Sequence, residues 1–271
     1  MATIVVVSHA RGRFRTRSFM IAGLFPHWEA AGHRVLVHEG PRDLPDADIA
    51  ILHVDETVIP AAYVDAVSRY RVVVNGRAID TSKRAWSDRL VARGDAYSGP
   101  VIVKTDKNSG GVPEAFHAAV AVLEGEPAGP PVRFMKERYP VFSSACLVPA
   151  NVWSDPELVV EKFLPEKDER GYYLRTWVFF GDRERCNRIR GASPVVKAAD
   201  ALERTPVPIP DEARAWRARM GFDYGKLDFV VHDGRVVVFD VNRTPTIPAT
   251  IGDAVRAGMA DLANGIDAFL R

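Results

Sequence analysis

The chain has 271 residues, 47% of them hydrophobic, and its 36 basic and 35 acidic residues give a net charge of +1. This length suits two or three compact lobes. The balanced charge gives no overall field for nucleic acid or an anionic membrane, so neither partner is expected. Cys146 and Cys186 lie far apart, and no His-x-x-x-His spacing occurs, which argues against a disulfide framework and a zinc site. Without a signal-like or membrane-spanning segment, the sequence favours the cytoplasm.

The first segment alternates apolar runs with helical patterns. Strands are predicted over residues 3–7, 34–38, 48–54 and 71–74, and helices over residues 18–31 and 60–69. This order predicts a βαβ domain whose parallel sheet carries any ligand at the carboxyl ends of its strands.

Two loops of this domain follow strand ends. Residues 8–17 carry arginine at every second position from Arg11 to Arg17. In an extended loop these guanidinium groups share a side and suit a carboxylate or phosphate, with a solvated basic face as the alternative. Asp55 and Glu56 follow the third strand and suit an amine or hydroxyl substrate, or else cap the next helix.

The middle of the chain combines lysines with a glycine loop. A helix is predicted over residues 80–93, a strand over 101–104, a loop over 105–111 and a helix over 113–123. Lysine beside backbone N–H groups of a glycine loop can cradle phosphate, although Gly-Gly alone is equally typical of a turn. The spacing of a Walker A loop is absent.

The C-terminal part is rich in predicted strands. A proline-rich joint at 125–131 precedes a strand over 158–164, a charged loop over 166–171 and two strands over 172–180 and 184–190. Helices are predicted over 208–220 and 252–270. Between them, residues 225–242 form a predicted hairpin with Asp233-Gly234 at the turn. Folding back brings Asp228 close to Asp240 and Asn242, a hard-oxygen set that suits Mg²⁺, or simply solvated polar groups.

Taken together, these features resemble the ATP-grasp superfamily over nearly the whole chain. The most specific motifs are Leu227-Asp228-Phe229 and the run from Phe239 to Pro245. The resemblance implies a mixed α/β and α+β fold, in which two α+β lobes enclose ATP. It assigns residues 1–78 to a Rossmann-like pre-ATP-grasp domain, 79–157 to a central lobe with a phosphate-binding flap, and 158–271 to a C-terminal lobe with the metal site.

The resemblance also implies roles for individual residues. Lys83 and Lys104 would contact the phosphates, and Ser109, Gly110 and Gly111 would form the flap. Adenine would be read by the strand Glu161, Lys162, Phe163 and Leu164, and ribose by Glu166, Asp168 or Glu169. The metal ligands would be Asp228, Asp240 and Asn242, holding Mg²⁺ or Mn²⁺. Arg175 and Arg188 match basic catalytic positions that steady the phosphoryl group or the substrate carboxylate, with structural ion pairs as the alternative.

One position departs from the family pattern. The second metal ligand is usually Glu in this family, and Asp240 is one methylene shorter, which puts loading with two ions in doubt and leaves weakened activity as an alternative.

The family chemistry implies an ADP-forming ligase that activates a carboxylate as an acyl phosphate for attack by an amine or similar nucleophile. Alternatives are a kinase that phosphorylates a small-molecule hydroxyl and a nucleotide-binding protein without turnover. The short chain favours a small molecule or short peptide as substrate, and the basic loop favours an anionic one. A homodimer is compatible with the sequence.

Overall fold

The computed structural model describes residues 1–133, 135, 139–197, 200–247 and 252–270. The α-helices are α1 (Phe25–Ala30), α2 (Ala61–Val67), α3 (Lys83–Trp86), α4 (Val112–Leu123), α5 (Ala150–Trp153), α6 (Asp211–Arg219) and α7 (Asp253–Ala263). Short 3-10 helices cover Phe14–Thr16, Met20–Gly23, Asn108–Gly111, Ala145–Leu147 and Asn264–Phe269. Among these described elements, no helix has the length and apolar character needed to cross a membrane.

Three β-sheets are formed by the described residues. The first sheet is parallel, in the order β2-β1-β3-β4. Its strands are β1 (Thr3–Ser8), β2 (Arg34–Glu39), β3 (Ile49–His53) and β4 (Val72–Val74). The apolar runs of β1 and β3 are buried nearly throughout, as expected for inner strands covered on both faces. The four strands predicted in this part of the sequence are confirmed.

The helix predicted over residues 18–31 is wrong in its first half. Phe19 forms an antiparallel bridge with Thr246, and the Met20 N–H donates to the Pro245 carbonyl at 2.8 Å. The α-helix begins only at Phe25, after a 3-10 turn. Pairing with the C-terminal part of the chain overrides the local helical pattern here.

The central sheet is antiparallel, in the order β6-β5-β7. Its strands are β5 (Val101–Thr105), β6 (Val141–Phe142) and β7 (Leu158–Lys162). Because β7 pairs with β5 over its whole length, a boundary at 157/158 would divide one sheet. We propose that the central lobe extends to residue 163 instead.

The helix predicted over residues 80–93 is also wrong, since only the single turn α3 is helical. Residues 89–91 run beside β7 instead. The Val91 N–H donates to the Val160 carbonyl, and the Lys162 N–H donates to the Arg89 carbonyl, both at 2.8 Å. Residues 89–91 therefore pair with the edge of β7, although their own composition favours a helix.

The third sheet follows the order β11-β10-β9-β12-β13, with β8 against β9. Its strands are β8 (Glu166–Asp168), β9 (Gly171–Phe180), β10 (Arg183–Gly191), β11 (Glu203–Pro206), β12 (Tyr224–His232) and β13 (Arg235–Asn242). The two predicted hairpins, β9-β10 and β12-β13, are confirmed. The short polar strands β8 and β11 have no periodic signal in the sequence, and β8 lies where a loop was predicted.

The first and third sheets share one hydrophobic core. Its buried members include Trp28 from α1, Phe180 and Tyr224 from the third sheet, and Met259 from α7. The Trp28 indole N–H donates to the Ala263 carbonyl at 2.8 Å. Through this cluster the two sheets stabilise each other, while each sheet also has a hydrophobic cluster of its own.

Arg243 joins the same two parts of the molecule through polar contacts. Its side chain is 1% exposed and donates to the Val54 carbonyl at 3.4 Å. It also donates to the carbonyls of Ala78 and Glu56. Burial lowers the pKa of Arg243 to about 10, so the guanidinium remains charged at neutral pH. Arg243 thus fastens the loop after β3 to the end of β13.

His53 makes the stability of the fold depend on pH. The imidazole is buried at the edges of the Phe14 and Phe19 rings, and neither ring nitrogen has a hydrogen-bond partner in the described structure. Burial lowers its pKa from 6.5 to about 3. Because the unfolded chain binds this proton more readily, stability falls as pH drops from 6.5 towards 3, by about 1.4 kcal/mol per pH unit.

We therefore expect His53→Phe to remove one source of acid destabilisation. Between pH 7.5 and pH 5.5, urea denaturation should show the wild type losing about 1.4 kcal/mol more stability than the variant. The exposed His27 provides a control, because His27→Gln should keep the wild-type dependence. An equal loss in wild type and His53→Phe would contradict the buried neutral imidazole.

Candidate functional site

A cavity of about 300 Å³ lies between the central and third sheets. Its lining combines apolar side chains with lysines and two aspartates, so one ligand could place both a hydrophobic ring and anionic groups there. The lining residues are Lys83, Ile102, Lys104, Tyr139, Phe163, Tyr173, Leu174, Pro194, Val195, Val196, Lys197, Lys226, Asp228, Phe239 and Asp240.

A β-bulge shapes the acidic end of this cavity. Asp228 lies opposite Asp240 in the β12-β13 ladder, but the next residue, Phe229, lies opposite Val238. Phe239 is therefore the extra residue of β13. A bulge disrupts the alternation of side chains between two faces. This explains why the consecutive residues Phe239 and Asp240 both line the cavity.

The carboxylates of Asp228 and Asp240 are only partly neutralised by neighbouring protein groups. Asp228 Oδ2 accepts a hydrogen bond from Lys226 Nζ at 2.7 Å, whereas its Oδ1 is buried without a partner in the described structure. Burial raises the pKa of Asp240, and the neighbouring Asp228 adds to this effect, while Lys83 opposes it. A buried, unpartnered carboxylate oxygen beside a second buried carboxylate fits a divalent cation.

Asn242 lies next to these acids on β13, opposite Lys226. Its Oδ1 accepts the Thr244 N–H at 2.8 Å, which fixes the side chain in a local turn. The Thr244 hydroxyl lies 3.5 Å from the same oxygen. The three predicted metal-binding residues are thus close together along the end of this hairpin.

The two predicted phosphate lysines both line the cavity. Lys83 Nζ donates to the Lys107 carbonyl at 2.7 Å. Lys104 Nζ donates to the Phe239 carbonyl at 3.1 Å and forms an ion pair with Glu161 at 3.0 Å. Burial lowers the pKa of Lys104, although Glu161 opposes the shift.

The Glu161 side chain forms buried ion pairs and does not line the cavity. It is fully buried, and its carboxylate pairs with Arg89 at 3.1 Å and with Lys104 at 3.0 Å. Burial would raise the pKa of Glu161, but the two cations outweigh burial and lower it. The side chain is therefore committed to its ion pairs and holds Lys104 in place, whereas the predicted adenine contact concerns the backbone of this strand and stays a prediction.

The rest of the predicted adenine strand leaves one backbone N–H group, that of Leu164, without a partner among the described residues. The N–H groups of Lys162 and Phe163 donate to the carbonyls of Arg89 and Pro100, both at 2.8 Å. Since Phe163 lines the cavity, this backbone lies at its apolar wall.

Arg175 and Arg188 form the ion pairs that were the structural alternative, and their catalytic role stays a prediction. Arg175 Nε and NH2 donate to Glu166 at 3.1 and 3.0 Å, and Arg188 Nε donates to the same carboxylate at 2.7 Å. The Val231 N–H adds a fourth hydrogen bond at 2.8 Å. Neither arginine lines the cavity, and Glu166 has no free oxygen for ribose.

Of the predicted ribose acids, Asp168 accepts hydrogen bonds from Tyr173 Oη and the Arg170 N–H, whereas Glu169 is exposed.

The predicted flap residues form a left-handed turn. Ser109, Gly110 and Gly111 have φ values of 47°, 68° and 81°. A Cβ at Gly110 would lie 2.2 Å from the Met135 carbonyl oxygen, so only glycine fits this close approach. None of the three lines the cavity in this arrangement.

Several cavity residues were missed in the sequence. Lys226 is two residues before Asp228 on the same strand, so alternation would have placed it on the same face. Tyr139 and residues 194–197 come from irregular segments and give no such signal. Burial and the charge of Asp240 raise the pKa of Tyr139 to about 12, which keeps its hydroxyl protonated.

The arginine loop is not extended, contrary to the prediction, because Arg13 adopts a left-handed conformation before a 3-10 turn. Arg11 and Arg13 pair with Glu124 at 3.1 and 3.0 Å on the outside of the molecule. Arg17 points elsewhere and pairs with Asp55 at 2.5 Å. The guanidinium groups therefore do not form one anion site.

His9, Glu56 and His117 bring together the donor types of a zinc site, with both rings 3.3 Å from Glu56 Oε1. However, the Arg11 N–H donates to His9 Nδ1 at 3.1 Å, so the proton lies on Nε2, the nitrogen that faces Glu56. The two rings also stack at 3.7 Å with planes 15° apart, which prevents both lone pairs from meeting at one ion. This arrangement fits hydrogen bonds to a carboxylate better than a metal.

No family model and no curated protein matches the sequence. Solved structures do match. D-alanine–D-alanine ligase from Bacillus anthracis in complex with ATP is 14% identical, with a TM-score of 0.52, covering 100% of this chain and 96% of that chain. D-cycloserine synthetase DcsG is 12% identical, with a TM-score of 0.51 and coverage of 98% and 99%. A RimK domain ATP-grasp protein from Sphaerobacter thermophilus is 14% identical, with a TM-score of 0.51 and coverage of 99% and 100%.

At these identities the similarity concerns the fold, and it extends over the whole chain in each case. The mixed α/β fold expected from the sequence is thereby confirmed. The protein shares the fold of these three proteins, one of which is named as an ATP-grasp protein.

Proposed function

We propose that the protein is an ATP- and Mg²⁺-dependent, ADP-forming ligase that activates a carboxylate as an acyl phosphate for attack by an amine or similar nucleophile. The observation that carries the proposal is the pairing of Asp228 and Asp240, with one buried carboxylate oxygen unpartnered, beside the lysines of an otherwise apolar cavity. Three proteins of this fold with known structures bear the names of a ligase, a synthetase and an ATP-grasp protein.

The cavity supports ATP as the nucleotide. Its apolar wall, which includes Phe163 and Leu174, suits a purine ring, and the unpartnered Leu164 N–H offers a hydrogen bond to the ring edge. Lys83, Lys104 and Lys226 would then contact the phosphates. Positive side chains held in a buried site stabilise the charge that develops during phosphoryl transfer.

Asp228, Asp240 and Asn242 would hold Mg²⁺. A divalent cation at this position would offset charge on the β- and γ-phosphates. Lys226 keeps Asp228 oriented, since the charges of Asp228 and Asp240 outweigh burial and raise the pKa of this lysine. The short side chain of Asp240 favours binding of one Mg²⁺ ion over two.

The proposal is tested by measuring ADP release with ATP, Mg²⁺ and a panel of carboxylates and amines. We expect ADP, phosphate and a condensed product from at least one pair. A phosphorylated hydroxyl product would favour the kinase alternative. Binding of Mg²⁺-ATP without turnover on any acceptor would favour a nucleotide-binding protein.

A further inference from the structure

We propose that Arg89 is a positioning residue for the metal site, because it fixes the β-bulge of β13 that puts Asp240 on the same face of the sheet as Asp228. The inference rests on the proposed function, since it concerns how the chain assembles the carboxylate pair that would hold Mg²⁺. Arg89 itself does not line the cavity.

The bulge decides whether the two aspartates share a face. Between the turn and Phe229 the β12-β13 ladder is regular, and Phe229 lies opposite Val238. Without a bulge, this register would place Asp228 opposite Phe239. Opposite residues lie on one face and neighbours along a strand lie on opposite faces, so Asp240 would then point away from Asp228. With Phe239 as the extra residue, Asp228 lies opposite Asp240.

Two cations of the central lobe hold the bulged backbone. Arg89 NH2 donates to the Val238 carbonyl at 2.5 Å, and Lys104 Nζ donates to the Phe239 carbonyl at 3.1 Å. Among the described strands, β13 is the last of its sheet, and an edge strand offers backbone groups that its sheet does not pair. Two successive carbonyls are therefore held from outside the sheet, at the point where the ladder is interrupted.

The same cations contact the side chain of the extra residue. The guanidinium carbon of Arg89 and the Nζ of Lys104 lie 5.0 and 5.4 Å from the centre of the Phe239 ring. A cation attracts an aromatic ring within about 6 Å. A slip of β13 to the regular register would move this ring and break both contacts, so they favour the bulged register.

Arg89 is itself fixed by β7. Its side chain is 4% exposed and pairs with Glu161 at 3.1 Å, and its NH1 donates to the Lys162 carbonyl at 3.3 Å. The Lys162 N–H donates in turn to the Arg89 carbonyl at 2.8 Å. Lys104 also lines the cavity, where it is proposed to contact the phosphates. Arg89 is therefore the cation whose effect on the bulge is measurable apart from nucleotide binding.

The first test measures the register of β13 without metal or nucleotide. The combined changes Asp228→Cys and Asp240→Cys provide two thiols that form a disulfide readily when these positions lie opposite each other, with Cα atoms about 5 Å apart. The rate of formation under a mild oxidant is followed by peptide mass spectrometry, which identifies this disulfide among any others. It is compared for the otherwise unchanged chain, Arg89→Lys and Arg217→Lys.

Arg217→Lys is the matched control. Arg217 also donates to main-chain carbonyls, those of Gly181 and Phe222 at 2.6 and 2.9 Å, and its guanidinium carbon lies 4.1 Å from the centre of the Phe179 ring. It lies outside the cavity lining and makes no contact with the bulge in the described structure. Both changes keep the positive charge and remove a planar fork of donors. A general loss of stability would therefore affect both variants.

We expect Arg89→Lys to slow formation of the disulfide roughly 10-fold, the effect of one lost hydrogen bond from a charged donor. Arg217→Lys should keep the rate of the unchanged chain. Equal rates for Arg89→Lys and the unchanged chain would overturn the proposal. If circular dichroism shows Arg89→Lys to be unfolded, Arg89→Gln with Glu161→Gln replaces it, because this pair removes both charges, and the same slowing is expected.

Deletion of Phe239 separates the bulge from other effects of Arg89. Without the extra residue, the regular ladder itself puts Asp240 opposite Asp228, and the pairs on both sides are kept. In this background Arg89→Lys should leave the rate of disulfide formation unchanged. An equal slowing with and without Phe239 would show that Arg89 acts other than through the bulge, and would overturn the proposal.

The second test measures metal binding in the chain with both aspartates intact. Affinity for Mn²⁺, in the presence of a non-hydrolysable ATP analogue, is measured by electron paramagnetic resonance. Arg89→Lys should weaken Mn²⁺ binding roughly 10-fold, and Arg217→Lys should not. Unchanged Mn²⁺ affinity of Arg89→Lys would refute the positioning role. Absence of Mn²⁺ binding in the wild type would contradict the proposed function, whereas the disulfide rates would still report whether Arg89 fixes the bulge.

Discussion

Asp228→Asn should lower ATP-dependent turnover by roughly 100- to 1000-fold, the loss expected when one preorganised electrostatic contact to a transition state is removed. The change removes the charge of a carboxylate whose Oδ1 is buried without a partner, and an amide binds Mg²⁺ more weakly. We expect calorimetry to show a matching loss of the Mg²⁺-dependent part of ATP binding, while ADP release reports turnover.

Asp233→Asn provides the matched control on the same hairpin. Asp233 is at the turn, its side chain is 92% exposed, and its φ of 48° is one that Asn tolerates well. This variant should keep wild-type turnover and Mg²⁺ dependence. Full activity of Asp228→Asn, with its fold verified by circular dichroism, would refute the metal assignment.

Glu161→Gln should destabilise the protein by about 3–5 kcal/mol, because it leaves buried cations without their counter-charge. The side chains of Arg89 and Lys104 are only 4% and 9% exposed, and Glu161 is the carboxylate that pairs with both. Urea denaturation at neutral pH measures the effect.

Glu203→Gln is the comparison, since Glu203 also pairs with two cations, Arg170 and Arg190, but is 41% exposed. An exposed ion pair contributes little to stability because solvent screens it, so this variant should stay near wild type. Unchanged stability of Glu161→Gln would contradict the role of Glu161 as the counter-charge of two buried cations.

Local patterns carried the most reliable part of the sequence prediction. Alternation along β12 and β13 and the Asp233-Gly234 turn are short-range features, so the sequence alone brings Asp228 close to Asp240, although the register of this turn would place Asp228 opposite Phe239. The bulge at Phe239 cannot be predicted from these short-range features, because it depends on how the strands meet the cavity. The sequence therefore identifies the acids but not the aromatic ring that lies beside them.

Long-range ion pairs surround several of the predicted site residues. Glu166, which pairs with both Arg175 and Arg188, comes from a separate strand. Arg89 was expected on a helix, but its segment pairs with β7, which brings Arg89 into the core beside Glu161. A single sequence does not reveal which opposite charges meet in three dimensions.

The Arg243 contacts determine which part of the protein can open to admit a nucleotide. The first and third sheets share a core and are tied by Arg243, so they should move as one rigid body. The central sheet has its own core and reaches the third sheet through polar contacts, such as the Arg89 hydrogen bond to the Val238 carbonyl. We therefore expect any opening of the cleft to keep the first and third sheets together.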